Sequence, residues 1–131
     1  MEVINEDNTC MKVILIRHGA TMGNQEKRYI GITDEALCDT GIEKLLKNVH
    51  KDIYPAADKI YVSPMKRCIQ TAQIIYPGRE AVVVDDLKEC DFGRFEGKNY
   101  IELSGDSYYQ KWIDSNATPV SYTHLTLPTI A

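Results

Sequence analysis

The sequence predicts an α/β fold with a mainly parallel sheet, and three observations carry that reading. Short apolar, β-branched runs at Val13–Ile16, Lys59–Val62 and Ala81–Val84 alternate with segments of helical periodicity. The first run releases Arg17, His18 and Gly19 in succession at its C-terminal end. The second leads into Ser63-Pro64, a pair suited to opening a helix.

Taken in order, residues 1–10 are polar and acidic without a period, and are expected to form a flexible extension before Met11. Val13–Ile16 reads as a buried strand. Gly19 to Asp39, punctuated by Gly23 and Gly31, reads as a long functional loop. Thr40 is the expected N-cap of the next helix, with Glu43 at capping-box spacing. Ile42, Leu45, Leu46 and Val49 share one face of that helix, which is expected to run to Tyr54-Pro55 with His50 at the surface. Lys59–Val62 is a second strand. Ser63 then caps a helix whose expected buried face is Ile69, Ala72 and Ile75/Tyr76. Arg67 falls in its first turn, which places it on the same sheet edge as Arg17 and His18. Ala81–Val84 is a third strand. Leu87 to Gly97 is an acidic and aromatic loop, and Tyr100–Leu103 and Tyr108–Asp114 are short helices. Tyr108, Tyr109 and Trp112 are expected to pack rather than stack on a ligand.

The composition of the 131 residues, 44% hydrophobic and 26% charged, is that of an ordinary globular protein. A net charge of −4 gives no reason to expect a nucleic-acid surface. No apolar run reaches the length of a membrane span, and no signal peptide is recognisable. Cys10, Cys38, Cys68 and Cys90 lack C-x-x-C or zinc spacing and fit reduced thiols in a cytoplasmic protein, with Cys68 and Cys90 as small core residues. No carboxylate cluster suits magnesium and the three histidines are scattered, so neither a metal nor another cofactor is expected. Neither a nucleic acid nor a membrane is expected as a partner, and the phosphate-suited groups at the end of the first run point to a small phosphorylated molecule. The oligomeric state is not legible.

The chemistry lies at the end of the first strand. Arg17 carries a permanent charge on a planar donor fork suited to phosphate. His18 can act as an uncharged nitrogen nucleophile near neutral pH. Gly19 allows close backbone approach to a ligand. Phosphoryl transfer is mostly positioning and charge stabilisation, and two guanidiniums can neutralise a dianion. The same cations disfavour the protonated imidazole and keep its attacking nitrogen free.

Three ordered blocks resemble the histidine phosphatase, or phosphoglycerate mutase-like, superfamily. They are Leu15-Ile16-Arg17-His18-Gly19-Ala20-Thr21, followed by Asn24, Arg28 and Gly31; Ser63-Pro64-Met65-Lys66-Arg67-Cys68-Ile69-Gln70-Thr71-Ala72; and Leu87-Lys88-Glu89-Cys90-Asp91-Phe92-Gly93-Arg94-Phe95-Glu96-Gly97. The resemblance runs from about Met11 to Asn116. It implies a three-layer α/β sandwich with a mainly parallel sheet. It also implies that His18 becomes phosphohistidine, that Arg17, Asn24 and Arg67 hold the phosphoryl oxygens, and that Glu89 protonates the leaving oxygen and then activates water. Arg28 is a weaker candidate for substrate contact.

The family's second catalytic histidine, in a late His-Gly-Gly-type motif, has no counterpart here. His124 lies in Ser121-Tyr122-Thr123-His124-Leu125-Thr126, which is a different context. Residues 120–131 resemble one reading frame of a transposon-end sequencing adapter and are expected to be a non-native tail. Residues 11–119 are then the N-terminal part of the domain, incomplete at its C-terminus, and this chain is expected to have little or no activity. The short segment after Gly97 leans towards the small phosphatases, including α-ribazole phosphatases, over the mutases. A phosphoglycerate mutase and an inactive or non-catalytic phosphate-binding module remain the alternatives.

Overall fold

The structure is a computed structural model and describes residues 2–4 and 10–117. The expected tail, residues 120–131, lies outside the described residues. The described elements are β1 (Glu2–Ile4), β2 (Cys10–Lys12), α1 (Met22–Gln25), α2 (Asp39–His50), β3 (Tyr61–Val62), α3 (Lys66–Ile75), β4 (Val82–Val83) and α4 (Ser107–Asp114). From α2 onward the expected α/β order is present: α2, β3, α3 and β4 follow one another. β3 and β4 pair in parallel, Tyr61 opposite Val82 and Val62 opposite Val83, with α3 as the crossover between them.

Two expectations about the start of the chain are corrected. Within the expected irregular extension, Glu2–Ile4 form β1, antiparallel to β2. Val13–Ile16, expected as a buried strand, forms none, and Leu15 is 84% exposed with Ile14 and Ile16 exposed beside it. The β1–β2 ladder stops at Lys12, and no described strand continues it. An apolar run becomes a buried strand only when neighbours cover its faces and edges.

The helices begin where long-range contacts fix them. The Cys38 N–H donates to the Ala20 carbonyl at 3.0 Å, so α2 starts at Asp39 with Cys38 as N-cap, not Thr40. Thr40 instead accepts from the Gln25 side chain. α2 stops at His50, short of Tyr54-Pro55, with His50 exposed as expected. Its buried residues are Gly41 and Leu45, whereas Leu46, expected on the buried face, is exposed.

α3 begins at Lys66, not after Ser63, because the Lys66 N–H donates to Asp34 Oδ1 at 2.7 Å. This carboxylate is supplied across the chain and takes the donor that a local cap would have served. The most buried face of α3 is Arg67, Thr71 and Ile75, spaced by four residues; Ile69 and Ala72 are only half-buried. Tyr100–Leu103 is a series of turns rather than a helix. The Asn99 side chain there accepts from the Glu102 N–H.

Two apolar clusters hold these elements. Leu37, Leu45 and Ile75 join α2 to α3, with Ile42, Tyr54, Ile74 and Tyr76 against them. Phe95, Leu103 and Trp112 form the second, with Tyr29, Phe92 and Tyr109 packed around them. Trp112 meets Tyr29 edge-on at 5.3 Å between ring centroids, so Trp112 and Tyr109 of α4 pack as expected, whereas Tyr108 is exposed with the Arg94 guanidinium over its ring. Asp106 starts α4 by accepting from the Tyr108 and Tyr109 N–H groups. Among the described residues no helix is long and apolar enough to cross a membrane.

Candidate active site

The loop between Gly19 and Leu37 is fastened to α3 at four points. The Gly19 N–H donates to Thr71 Oγ1 at 2.9 Å, and the Leu37 N–H donates to Gln70 Oε1 at 2.7 Å. Asp34 accepts from the start of the helix, and Arg67 donates Nη1 to the Thr33 carbonyl and Nη2 to the Gly31 carbonyl, each at 2.8 Å. These bonds bring His18 and Arg67, distant in sequence, to one side of the fold.

His18 is half-buried, and its Nδ1 lies 2.6 Å from the Gly19 carbonyl oxygen. A carbonyl can only accept, so Nδ1 carries the proton and the Nε2 of the neutral ring keeps its lone pair. Burial lowers the imidazole pKa below its ordinary value. The Gly19 bond opposes this, Arg67 and Arg17 depress it further, and Glu89 acts in the opposite sense. Four of the six expected site residues are therefore close enough to interact electrically: His18, Arg17, Arg67 and Glu89.

Arg67 is only 2% exposed, and its Nε–H is buried with no hydrogen-bond partner. A buried guanidinium donor without a partner is costly unless an anion occupies the space before it. Arg17 and Glu89 are exposed.

Two expected residues are engaged elsewhere. The Asn24 side-chain oxygen accepts from the Thr21 N–H at 3.0 Å, and the Asn24 N–H donates to Thr21 Oγ1 at 3.2 Å, which closes a capping box on α1. Its role here is to shape the loop after His18. Arg28 donates to the Gly97 carbonyl and pairs with Glu26 and Glu102, and it is not among the charges acting on His18.

The cysteines near the site are unsuited to nucleophilic attack. Burial pushes the Cys68 thiol up, and burial together with Glu89 pushes Cys90 up to about 11. All four cysteines are free. Among the described residues no group of three or more His, Cys, Asp or Glu side chains is arranged to hold a metal ion.

Two residues carry more of the site than the motifs suggested. Thr71 is buried and bridges Gly19 to its own helix, donating to the Arg67 carbonyl. Glu96 accepts from the Gly31 and Thr33 N–H groups, the Thr33 hydroxyl and the Phe92 N–H. The sequence signal for Glu96 was a carboxylate between an aromatic residue and a glycine in an otherwise unstructured loop. It carries no information about which amides it meets.

The model of the histidine phosphatase superfamily (branch 1) matches residues 13–124. A 2,3-bisphosphoglycerate-dependent phosphoglycerate mutase from Nitrosococcus oceani is 33% identical over 103 residues, which covers 70% of this chain and 41% of that protein. Phosphoserine phosphatase from Entamoeba histolytica, solved in complex with 3-phosphoglyceric acid, is similar with a TM-score of 0.67 and 35% identity, over 78% of this chain and 52% of that one. An Escherichia coli structure described as a putative α-ribazole-5'-P phosphatase is similar with a TM-score of 0.68 and 27% identity, over 80% of this chain and 55% of that one. The chain thus spans about half the length of these solved relatives and less of the mutase.

Proposed function

Since the chain belongs to the histidine phosphatase superfamily, whose matched members are phosphatases and phosphoglycerate mutases, we propose that it carries the nucleophile of a phosphomonoester hydrolase. The observation that supports this best is the neutral His18 ring, held through Nδ1 on Gly19 with Nε2 free and two arginines acting on it.

His18 Nε2 attacks phosphorus in line with the ester oxygen. The P–O bond breaks as the N–P bond forms, and Glu89 gives its proton to the departing alkoxide. The charges of Arg17 and Arg67 offset the charge on the equatorial oxygens. Glu89, now ionised, takes a proton from water. The hydroxide displaces the imidazole from phosphorus and returns His18 to its starting state. The substrate is a small phosphorylated molecule, and α-ribazole-5'-phosphate is one candidate. The four free thiols suit a reducing compartment such as the cytoplasm.

Labelled phosphomonoester tests this reading. A full-length relative carrying this site is expected to acquire acid-labile, base-stable phosphohistidine, and its counterpart of His18→Ala none, whereas the 131-residue chain is expected to label little or not at all. EDTA is expected to leave labelling unchanged. The identity with a mutase favours a second reading, in which label moves between positions of a sugar acid instead of reaching water. Saturable phosphate binding by the folded full-length relative with no labelling supports instead the non-catalytic module and overturns the hydrolase.

A further inference from the structure

We propose that Glu96 is the positioning residue for Arg67, acting through the backbone of Gly31 and Thr33. This rests on the reading of His18 and Arg67 as a phosphoryl site. Glu96 Oε1 accepts from Gly31 N at 2.7 Å, Thr33 N at 3.0 Å and Thr33 Oγ1 at 2.8 Å, and Oε2 accepts from Phe92 N at 3.1 Å. The carbonyls of those same two residues, Gly31 and Thr33, hold the two terminal nitrogens of Arg67.

One carboxylate therefore fixes the amide side of the segment and Arg67 occupies its carbonyl side. With both terminal nitrogens directed onto protein carbonyls and the Nε–H enclosed, Arg67 acts on the site through its charge. The position of that charge depends on where residues 31–33 sit. Gly31 is packed so closely that a Cβ there would lie 1.8 Å from the Cys90 carbonyl oxygen. The segment is thus wedged between the Glu96 carboxylate and the backbone next to Glu89. Both the acid loop and the phosphate-holding arginine take their position from it.

Glu96→Gln tests this. An amide offers one acceptor oxygen where the carboxylate offers two, so an N–H must face either Phe92 N–H or the three donors on Oε1. Inorganic phosphate is the probe on the 131-residue chain, with the His18 ring proton followed by NMR in the same samples. We expect phosphate binding about tenfold weaker and the His18 titration raised towards 6.5 as the Arg67 charge moves away. The sign is diagnostic. Direct loss of a nearby negative charge would lower the His18 pKa, and Glu96 is not among the charges acting on it. Thr33→Val removes one of the four donors and is expected to move both readouts the same way, phosphate binding by roughly twofold.

A folded Glu96→Gln with lowered stability but unchanged His18 titration and phosphate affinity has lost only structural support, and overturns the proposal. If Glu96→Gln does not fold, a folded Thr33→Val with neither readout moved overturns it. The titration needs no ligand. Failure of wild-type chain to bind phosphate therefore sinks the phosphoryl-site reading, while the His18 shift still decides the role of Glu96.

Discussion

The Gly19 N–H donates to the Thr71 hydroxyl at 2.9 Å across 52 residues of sequence, and the same hydroxyl donates to the Arg67 carbonyl at 2.7 Å. One buried side chain thus ties the residue after His18 to the helical turn that carries Arg67. Val13–Ile16 is left uncovered, so this bond, with the loop contacts to α3, locates His18 where a paired strand was expected to do so.

Thr71→Val keeps the volume and removes both halves of the bridge. The Gly19 amide then lacks its acceptor in a partly buried setting, so we expect a loss of about 1–3 kcal/mol in urea denaturation. Thr71→Ser retains the hydroxyl and is expected to recover most of it.

The His18 titration carries a second prediction. Its folded pKa lies below the ordinary 6.5. Between the two values the unfolded chain binds more protons, so the contribution of His18 to stability is complete above about 6.5 and is lost as pH falls through the folded value. Arg17→Gln is expected to raise the His18 pKa and Glu89→Gln to lower it further, both substitutions being at exposed side chains and both shifts measured by NMR.

Gly31→Ala is expected to destabilise by about 1–3 kcal/mol or to prevent folding, because the added carbon meets the Cys90 backbone carbonyl rather than a movable side chain. Gly41→Ala meets the Ala20 carbonyl at 2.3 Å and is expected to behave alike. Thermal melts of both variants against wild type provide the check.

Trp112→Ala should cost about 3–5 kcal/mol by opening the second apolar cluster. If the aromatic residues of α4 are core, the folded fraction keeps its His18 titration and phosphate affinity. A change in either with the fold held by an excluded osmolyte such as sucrose would instead place the indole at the ligand.

Periodicity found α2, α3 and α4 because each buries a stripe whose spacing is local to the helix. It failed on Val13–Ile16 because burial of a strand depends on what lies beside it, which no local pattern encodes. It also misplaced the buried face of α3. Pattern reading selects apolar residues, and this helix buries Arg67 and Thr71, whose polar groups are served by loop backbone far away in sequence.

By itself the sequence determined the succession α2, β3, α3, β4 and α4 and the family to which the chain belongs, since these follow from residue identity and spacing. The tertiary structure decided which of the expected site residues share a field. His18, Arg17, Arg67 and Glu89 do, whereas Asn24 closes a helix cap and Arg28 is held by Glu26 and Glu102. The physical reason is that hydrogen bonds and charges act over a few ångströms in space, and only the folded chain sets which partners come within that range.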